Sequence, residues 1–320
     1  MTSLSIIMPV FNHGHFLARA VEAICQQSWR PHEMFLIDDG STDDTATIIR
    51  EISQRHSFIK PVFIQKNGGA AEAIKRVWNE VCGEYVYFAA ADDRVYGDFF
   101  SASIAVLEKH PQLSFCTALT DDIAGTIPPL ATPLSKIISP EKAAQMIRRH
   151  GTWFRCNTAV YRRKSLVDLG GFDPALGPFG DGFACMHLAI TTGCAFIPNV
   201  FCLVNIDHNS TSRIFDEKPG AIIDVFKVAE KKMSSELCSD FPDDLVSAWG
   251  RQWRLTVAKK LLSSSSDDTW RQIHQALVPP LTQIDVSMLR ALSGVTMKVA
   301  SALLLFRLLP RQFLCRLLSR

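Results

Sequence analysis

Residues 34–45 read "MFLIDDGSTDDT": an apolar run of strand length, two carboxylates, a glycine, then the start of a helix. An apolar run with no polar alternation is the pattern of a strand buried on both faces. Gly40 supplies the turn. Ser41 is read as the N-cap and Asp44, three residues on, as the partner that completes a capping box. The helix then continues through Thr47, Ile48, Ile52 and Arg55.

The same unit repeats on either side. Residues 4–10, 33–37, 61–65, 84–90 and 113–118 are short apolar runs. Between them, Leu17, Val21, Ile24 and Cys25 recur at helical spacing, as do Ala70, Ala73, Ile74, Val77 and Val81. Strand alternating with helix predicts an α/β fold: a mainly parallel central sheet with helices on both faces. Ligands of such sheets bind beyond the carboxyl ends of the strands. Four segments therefore converge on one rim, "PVFNHG", "DDGSTDD", "KNGG" and "ADDR".

Farther along, "TDDIAGTIPPLATP" is a Pro-rich loop, and "SPEKAAQMIRR" places Ser139 as N-cap with Pro140 at the first helical position. "CNTAVYRRKSLVDLGGFDP" reads as a strand, a short helix and a double-glycine stop. Residues 181–192 are predicted helical and 195–204 extended; from about 216 the chain is helical and charged, with a break at "SSSSDD", 263–268. The expected division is an α/β domain over 1–215 and a helical C-terminal appendage over 216–320.

Composition narrows the function classes. A chain of 320 residues with 47% hydrophobic content has ample core, and a net charge of +2 gives no nucleic-acid signature. Nine cysteines are scattered without a CxxC pair, which argues against a zinc site or a disulfide framework and for reduced thiols in a cytoplasmic protein. The first residues, "MTSLSIIMPVFN", lack a basic leader and read as a first strand. The segment 286–320 carries six basic residues, Arg290, Lys298, Arg307, Arg311, Arg316 and Arg320, and no acidic one. Lys298, Arg307 and Pro310 argue against a membrane span. A helix lying on an anionic membrane surface fits, and so does a helical subdomain packed on the core or on a partner.

The chemistry sits in the rim segments. Asp92 and Asp93 end the apolar run "YVYFAAADD". Hard divalent cations, Mg²⁺ or Mn²⁺, are held by one or two such carboxylates together with substrate phosphates. A bare Asp pair also fits a loop that caps the next turn. Asp39 can accept a hydrogen bond from a nucleobase imide N–H. Pro9 supplies a carbonyl and no donor, and Phe11 can pack against a flat base. Gly68 and Gly69 open a helix, where bare N–H groups favour anions, but neither GxGxxG nor GxxxxGK[ST] is present. His13 and His15, with no third ligand nearby, read as surface-loop residues.

Taken in order, "SIIMPVFN", "IDDGSTDDT", "NGGAAEAIKRVWNEVCGEYVYFAAADD", "YRRKSLVDLGGFDP" and "FGDGFACMHLA" resemble family 2 glycosyltransferases, which have the GT-A fold. The resemblance covers roughly residues 3–210. It implies that Pro9, Phe11 and Asp39 contact the nucleobase and that Asp92 and Asp93 form the metal and nucleotide-sugar pair. It implies Asp181 as catalytic base, and His208 near the diphosphate. The implied reaction is inverting transfer from a nucleoside-diphosphate sugar, a UDP-sugar foremost, to a glycan or lipid-linked acceptor, in surface polysaccharide assembly at the inner membrane face. Three departures stand out. Phe11 replaces a common Tyr. "AIKRVWN" leaves the choice between Lys75 and Arg76 open where the family carries Arg. Gly180 precedes Asp181 where Glu-Asp is usual. Two other classes fit the same sheet, a sugar nucleotidyltransferase and a non-catalytic transferase-like binding domain. The first would need a basic Gly-rich loop after strand one, which "PVFNHGHFL" lacks.

Overall fold

The computed structural model describes residues 2–122, 136–152, 154, 156–205, 219–235 and 238–263. The chain divides into two compact units, residues 1–208 and 209–320. Outside the described residues lie His208, most of the Pro-rich loop, nearly all of "SSSSDD" and the basic segment 286–320.

Among the described residues, the first unit is built on a sheet of nine strands. It begins with β1 (Leu4–Val10), α1 (Gly14–Cys25), β2 (Glu33–Asp39), α2 (Thr45–Arg55), β3 (Ile59–Ile64), α3 (Ala70–Val77) and β4 (Tyr85–Phe88). These four strands lie in the order β3-β2-β1-β4, all parallel. Leu4, Ile6, Met8 and Val10 of β1 join Met34 and Leu36 of β2 and Tyr85 and Tyr87 of β4 in one buried cluster, with Leu17, Val21 and Ile24 of α1. The alternate residues Ile7, Phe35, Ile37 and Val86 are buried as well. Both faces of β1, β2 and β4 are therefore covered, which is why their sequence shows unbroken apolar runs, whereas β3 at the end of the sheet is buried only at Ile59 and leaves Phe63 exposed.

The rest of the unit adds β5 (Arg94–Val95), α4 (Phe99–Lys109), β6 (Phe115–Asp122), β7 (Ile137–Ile138), α5 (Pro140–His150), β8 (Val160–Arg162), α6 (Arg163–Leu169), α7 (Gly180–Thr192) and β9 (Cys194–Val204). The sheet runs on from β4 through β8, β6 and β9 to β5, and β7 pairs with β9. On this side the sheet is mixed. β6 and β9 are parallel, but β8, β5 and β7 run antiparallel to their neighbours. Residues 89–93 thus carry the chain from β4 to a strand at the far edge.

Local chemistry follows the sequence at most termini. The Ser139 hydroxyl accepts from the Lys142 N–H at 3.3 Å, with Pro140 in the first turn. Gly170 takes the left-handed conformation that stops α6. The helix after "GSTDD" differs from expectation. It starts at Thr45, and Asp44 at its cap makes no side-chain capping bond. Asp43 Oδ1 accepts from the Thr45 N–H instead, at 3.1 Å. Ser41 therefore lies outside the helix start, and its Oγ accepts from the Asn12 N–H of the neighbouring loop at 3.0 Å.

In the second unit, α8 (Pro219–Met233) and α9 (Asp243–Ser263) pack through Phe226, Trp249 and Trp253, and Arg254 bonds Glu230. Among the described residues no helix is long and apolar enough to cross a membrane.

Candidate active site

The register sets the rim. Val10 at the tip of β1 lies beside Asp38, and Asp39 at the tip of β2 lies beside Ile64. Phe11 follows directly and is 41% exposed. Asn12 adopts φ 55°, and its Oδ1 accepts from the Thr42 N–H at 2.8 Å. Gly14 N–H donates to Asp43 Oδ2 at 3.2 Å. The loops after β1 and β2 are thereby tied to each other at several points. The loop after β3 joins them: Gly40, at φ +75°, approaches it so closely that a Cβ would meet Asn67 N at 2.7 Å.

Asp39 is 3% exposed. Its carboxylate accepts from Gly68 N–H at 3.1 Å and from Gly69 N–H at 2.7 Å. The anion-favouring donors of the "NGG" turn are therefore met by the chain's own carboxylate. Gly69, at φ +84°, reaches Asp39 in a backbone conformation that L side chains rarely adopt. Asp38 turns inward to its own loop and accepts from Ser41 N–H at 2.9 Å. Lys75 and Arg76 are both exposed on the last turn of α3.

Asp92 and Asp93 stand in the crossover between β4 and β5. Asp93 Oδ2 accepts from Asn157 Nδ2 at 3.1 Å, and Oδ1 from Asn205 N–H at 3.3 Å. Burial and the adjacent Asp92 charge push the Asp93 carboxyl up to about 7, against the pull of those two donors. Asn157 is itself fixed, since the Tyr87 hydroxyl donates to its carbonyl at 2.9 Å. Val95 pairs with Cys202 and Arg94 with Leu203, so the segment carrying the aspartates is anchored to the sheet on both sides.

Asp181 lies in the first turn of α7, one residue after the helix begins. It is exposed to solvent on one side and crowded by protein on the others. That crowding raises its carboxyl above the ordinary aspartate range, while the Gly182 N–H, 2.6 Å from Oδ1, and the Cys156 thiol lower it. The residue before Asn157 thus acts on the Asp181 carboxyl, and Asn157 donates to Asp93. Both belong to the 3-10 turn Cys156–Thr158. Neither was singled out from sequence. "CNT" matches no motif, and its contacts span tens of residues.

The rim so described holds Phe11, Asp39 and Gly69 on the β1–β2–α3 side, Asp92 and Asp93 in the crossover, and Asp181 beside the 3-10 turn. The family model for glycosyl transferase family 2 matches residues 5–170. A glycosyltransferase of Haemophilus influenzae is 29% identical over 52% of this chain and 64% of its own length. A putative teichuronic acid biosynthesis glycosyltransferase of Bacillus subtilis, TuaG, is 27% identical over 50% of this chain and 62% of its own. The chain thus aligns with less than two thirds of either relative. Among solved structures, Staphylococcus aureus TarS 1–349 with UDP-GlcNAc superposes with a TM-score of 0.69 at 15% identity, covering 94% of this chain and 88% of that one. The mannosyltransferase PcManGT of Pyrobaculum calidifontis, with GDP-Man and Mn²⁺, gives 0.61 at 17% identity over 95% and 78%. The structural likenesses agree with the GT-A fold, and on the match of its family model the chain belongs to glycosyl transferase family 2.

Proposed function

We propose that this chain is an inverting glycosyltransferase that moves a sugar from a nucleoside-diphosphate sugar, a UDP-sugar foremost, to a hydroxyl of a glycan or lipid-linked acceptor. The observation that carries this reading is the carboxylate pair Asp92 and Asp93. Burial and mutual repulsion make two negative charges unfavourable there unless a cation joins them. Among the described residues no third His, Cys, Asp or Glu completes a metal cluster. Two carboxylates, with the remaining positions left to substrate phosphates, suit Mg²⁺ or Mn²⁺. The residues present therefore fit such an ion, held by Asp92 and Asp93. When bound it neutralises charge on the departing diphosphate.

The chain's own groups supply the rest. Phe11 offers an exposed ring for the base, with Pro9 below it in β1. Asp39, braced by Gly69, accepts from the base imide. Asp181 removes the proton from the acceptor hydroxyl as that oxygen attacks the anomeric carbon, and its raised pKa suits a base working near neutrality. His208 is assigned to the diphosphate. UDP-GlcNAc in TarS supports the donor class, and the teichuronic acid name of TuaG supports a surface polysaccharide acceptor.

Calorimetric titration with UDP, GDP and dTDP, each with and without Mn²⁺, tests the donor site. Metal-dependent binding of one nucleotide, lost in Asp93→Ala, is the expected result. A folded protein that binds none of the three would overturn the proposal.

A further inference from the structure

Two strands that carry none of the rim motifs also end on the rim. β6 and β9 are parallel to each other, and through the antiparallel pairs β4–β8 and β8–β6 they run in the direction of β4. Their carboxyl ends therefore lie on the side of the sheet where ligands bind. β5 starts there and runs the opposite way. In strand order these three strands stand beyond β4 from β1, β2 and β3. The register sets Asp121 of β6 beside Leu203 of β9, and Leu203 beside Arg94 of β5. Residues directly opposite each other share a face, so Arg94 and Asp121 flank Leu203 on one face. Two strand spacings, about 10 Å, separate their backbones, which leaves room for a sugar ring between the side chains.

Arg94 follows Asp92 and Asp93 directly and is partly buried. Among the described residues its guanidinium has no ion pair and no hydrogen-bond partner, those two aspartates included. The Tyr96 N–H donates to the Phe201 carbonyl at 3.0 Å, which extends the β5 pairing by one residue. Tyr96 therefore stands on the same side as Arg94, with buried Val95 on the other. The Tyr96 ring is 38% exposed. Burial and the Asp121 charge raise its hydroxyl above the ordinary range, in keeping with a place on one face with Asp121.

We propose that Arg94, Asp121 and Tyr96 form an acceptor subsite, and that the acceptor carries an oxyanion, a phosphate or a carboxylate, on the sugar that lies there. A guanidinium is a planar fork of donors that matches two such oxygens at once. A carboxylate only accepts, so Asp121 takes the hydroxyls of the ring. Tyr96 presents a flat apolar body with a polar tip, against which a sugar can lie. The inference rests on the reading of Asp92 and Asp93 as the donor site, because Arg94 enters β5 directly from that pair.

The test titrates the full chain, in the presence of UDP and Mg²⁺, with glucose 6-phosphate, glucuronate and glucose, and reads affinity from the NMR signals of the probes. At least one charged probe should bind about tenfold or more tightly than glucose, the worth of one charge-assisted contact, and the preferred probe identifies the oxyanion as phosphate or carboxylate. Arg94→Gln should erase that difference. Arg94→Lys, which keeps the charge without the fork, should reduce it and serves if Arg94→Gln does not fold. Tyr96→Ala should weaken all three probes alike. Charged probes that bind wild type no better than glucose would overturn the proposal, as would a preference that survives in folded Arg94→Gln or, failing that, is undiminished in Arg94→Lys. Calorimetry of UDP with Mn²⁺ reports the donor site separately. Loss of UDP binding in Arg94→Gln would assign Arg94 to the donor and overturn the subsite. A wild-type chain that binds no UDP would remove the donor reading, and the probe titration would still decide whether Arg94 holds a charged sugar.

Discussion

Two carboxylates at opposite ends of the same sheet, one buried and one partly buried, have opposite characters. Glu33 opens β2 at the amino edge, and its side chain is 2% exposed. Burial pushes its carboxyl up, but the Cys82 N–H at 2.9 Å, Lys60 Nζ at 2.6 Å and Ser5 Oγ at 2.6 Å overcome that and bring it down to about 2. Asp93, past the carboxyl end of β4, has two donors and a like charge beside it, and rises to about 7. One carboxylate is saturated by its own chain. The other is left in deficit by its own chain. On the proposed function, that contrast separates a structural acid from a binding one without reference to any motif.

The largest expected effect would break the comparison on the functional side. Asp93→Ala should lower transfer from a UDP-sugar by about a hundredfold or more, since charge stabilisation at the leaving group is lost. Its thermal midpoint should stay within a few degrees of wild type. Normal turnover would remove the functional half of the contrast.

Next is the structural side. Glu33→Ala leaves the Cys82 N–H, Ser5 and Lys60 without their acceptor and should cost about 3 kcal/mol by urea denaturation. Mn²⁺-dependent nucleotide binding should persist. The lowered Glu33 carboxyl contributes stability at neutral pH that is lost as pH falls from about 4.5 through about 2. Glu33→Gln should flatten that acid limb; an unchanged slope would mean the donors are not acting on ionised Glu33. Lys60 is half-exposed, so the contribution that disappears is about 2 kcal/mol rather than the full electrostatic value.

Two smaller effects sharpen the contrast. Asn157→Ala withdraws a donor from Asp93 and should weaken Mn²⁺-dependent UDP binding about tenfold by calorimetry. Asp92→Asn removes the like charge and should stabilise the metal-free protein by about 1 kcal/mol at pH 8 while weakening the same binding. A destabilised Asp92→Asn protein would show that the deficit at Asp93 has another source.

What could be read from sequence was what is local or periodic. The doubly buried strands, the stripes of α1 and α3, the Ser139–Pro140 start and the Gly170 stop all follow from neighbours within a turn or two. β5 and β7 are two residues long and have no period to detect. The expected capping box failed because the helix starts at Thr45, and Ser41 is instead bonded by the Asn12 N–H, 29 residues away. Asp39, Asp92 and Asp93 stood out because a charge ending an apolar run is conspicuous; Asp181 ends no such run and came only with the family resemblance. Their supports did not, since Asn157 meets Asp93 across 64 residues and Gly69 meets Asp39 across 30. Those pairings are products of sheet order, which no spacing along the chain encodes.

The interlocked loops at the tips of β1, β2 and β3 bear on how such a site evolves. With Asn12 bonded to Thr42, Gly14 to Asp43 and Gly40 pressed against Asn67, none of the three can gain or lose a residue without displacing the others. Insertions, the usual raw material for altering a binding loop, are closed to this part of the protein. On the proposed function, a lineage that changes its nucleotide does so by replacing side chains on a fixed frame, at Phe11 and Asp39.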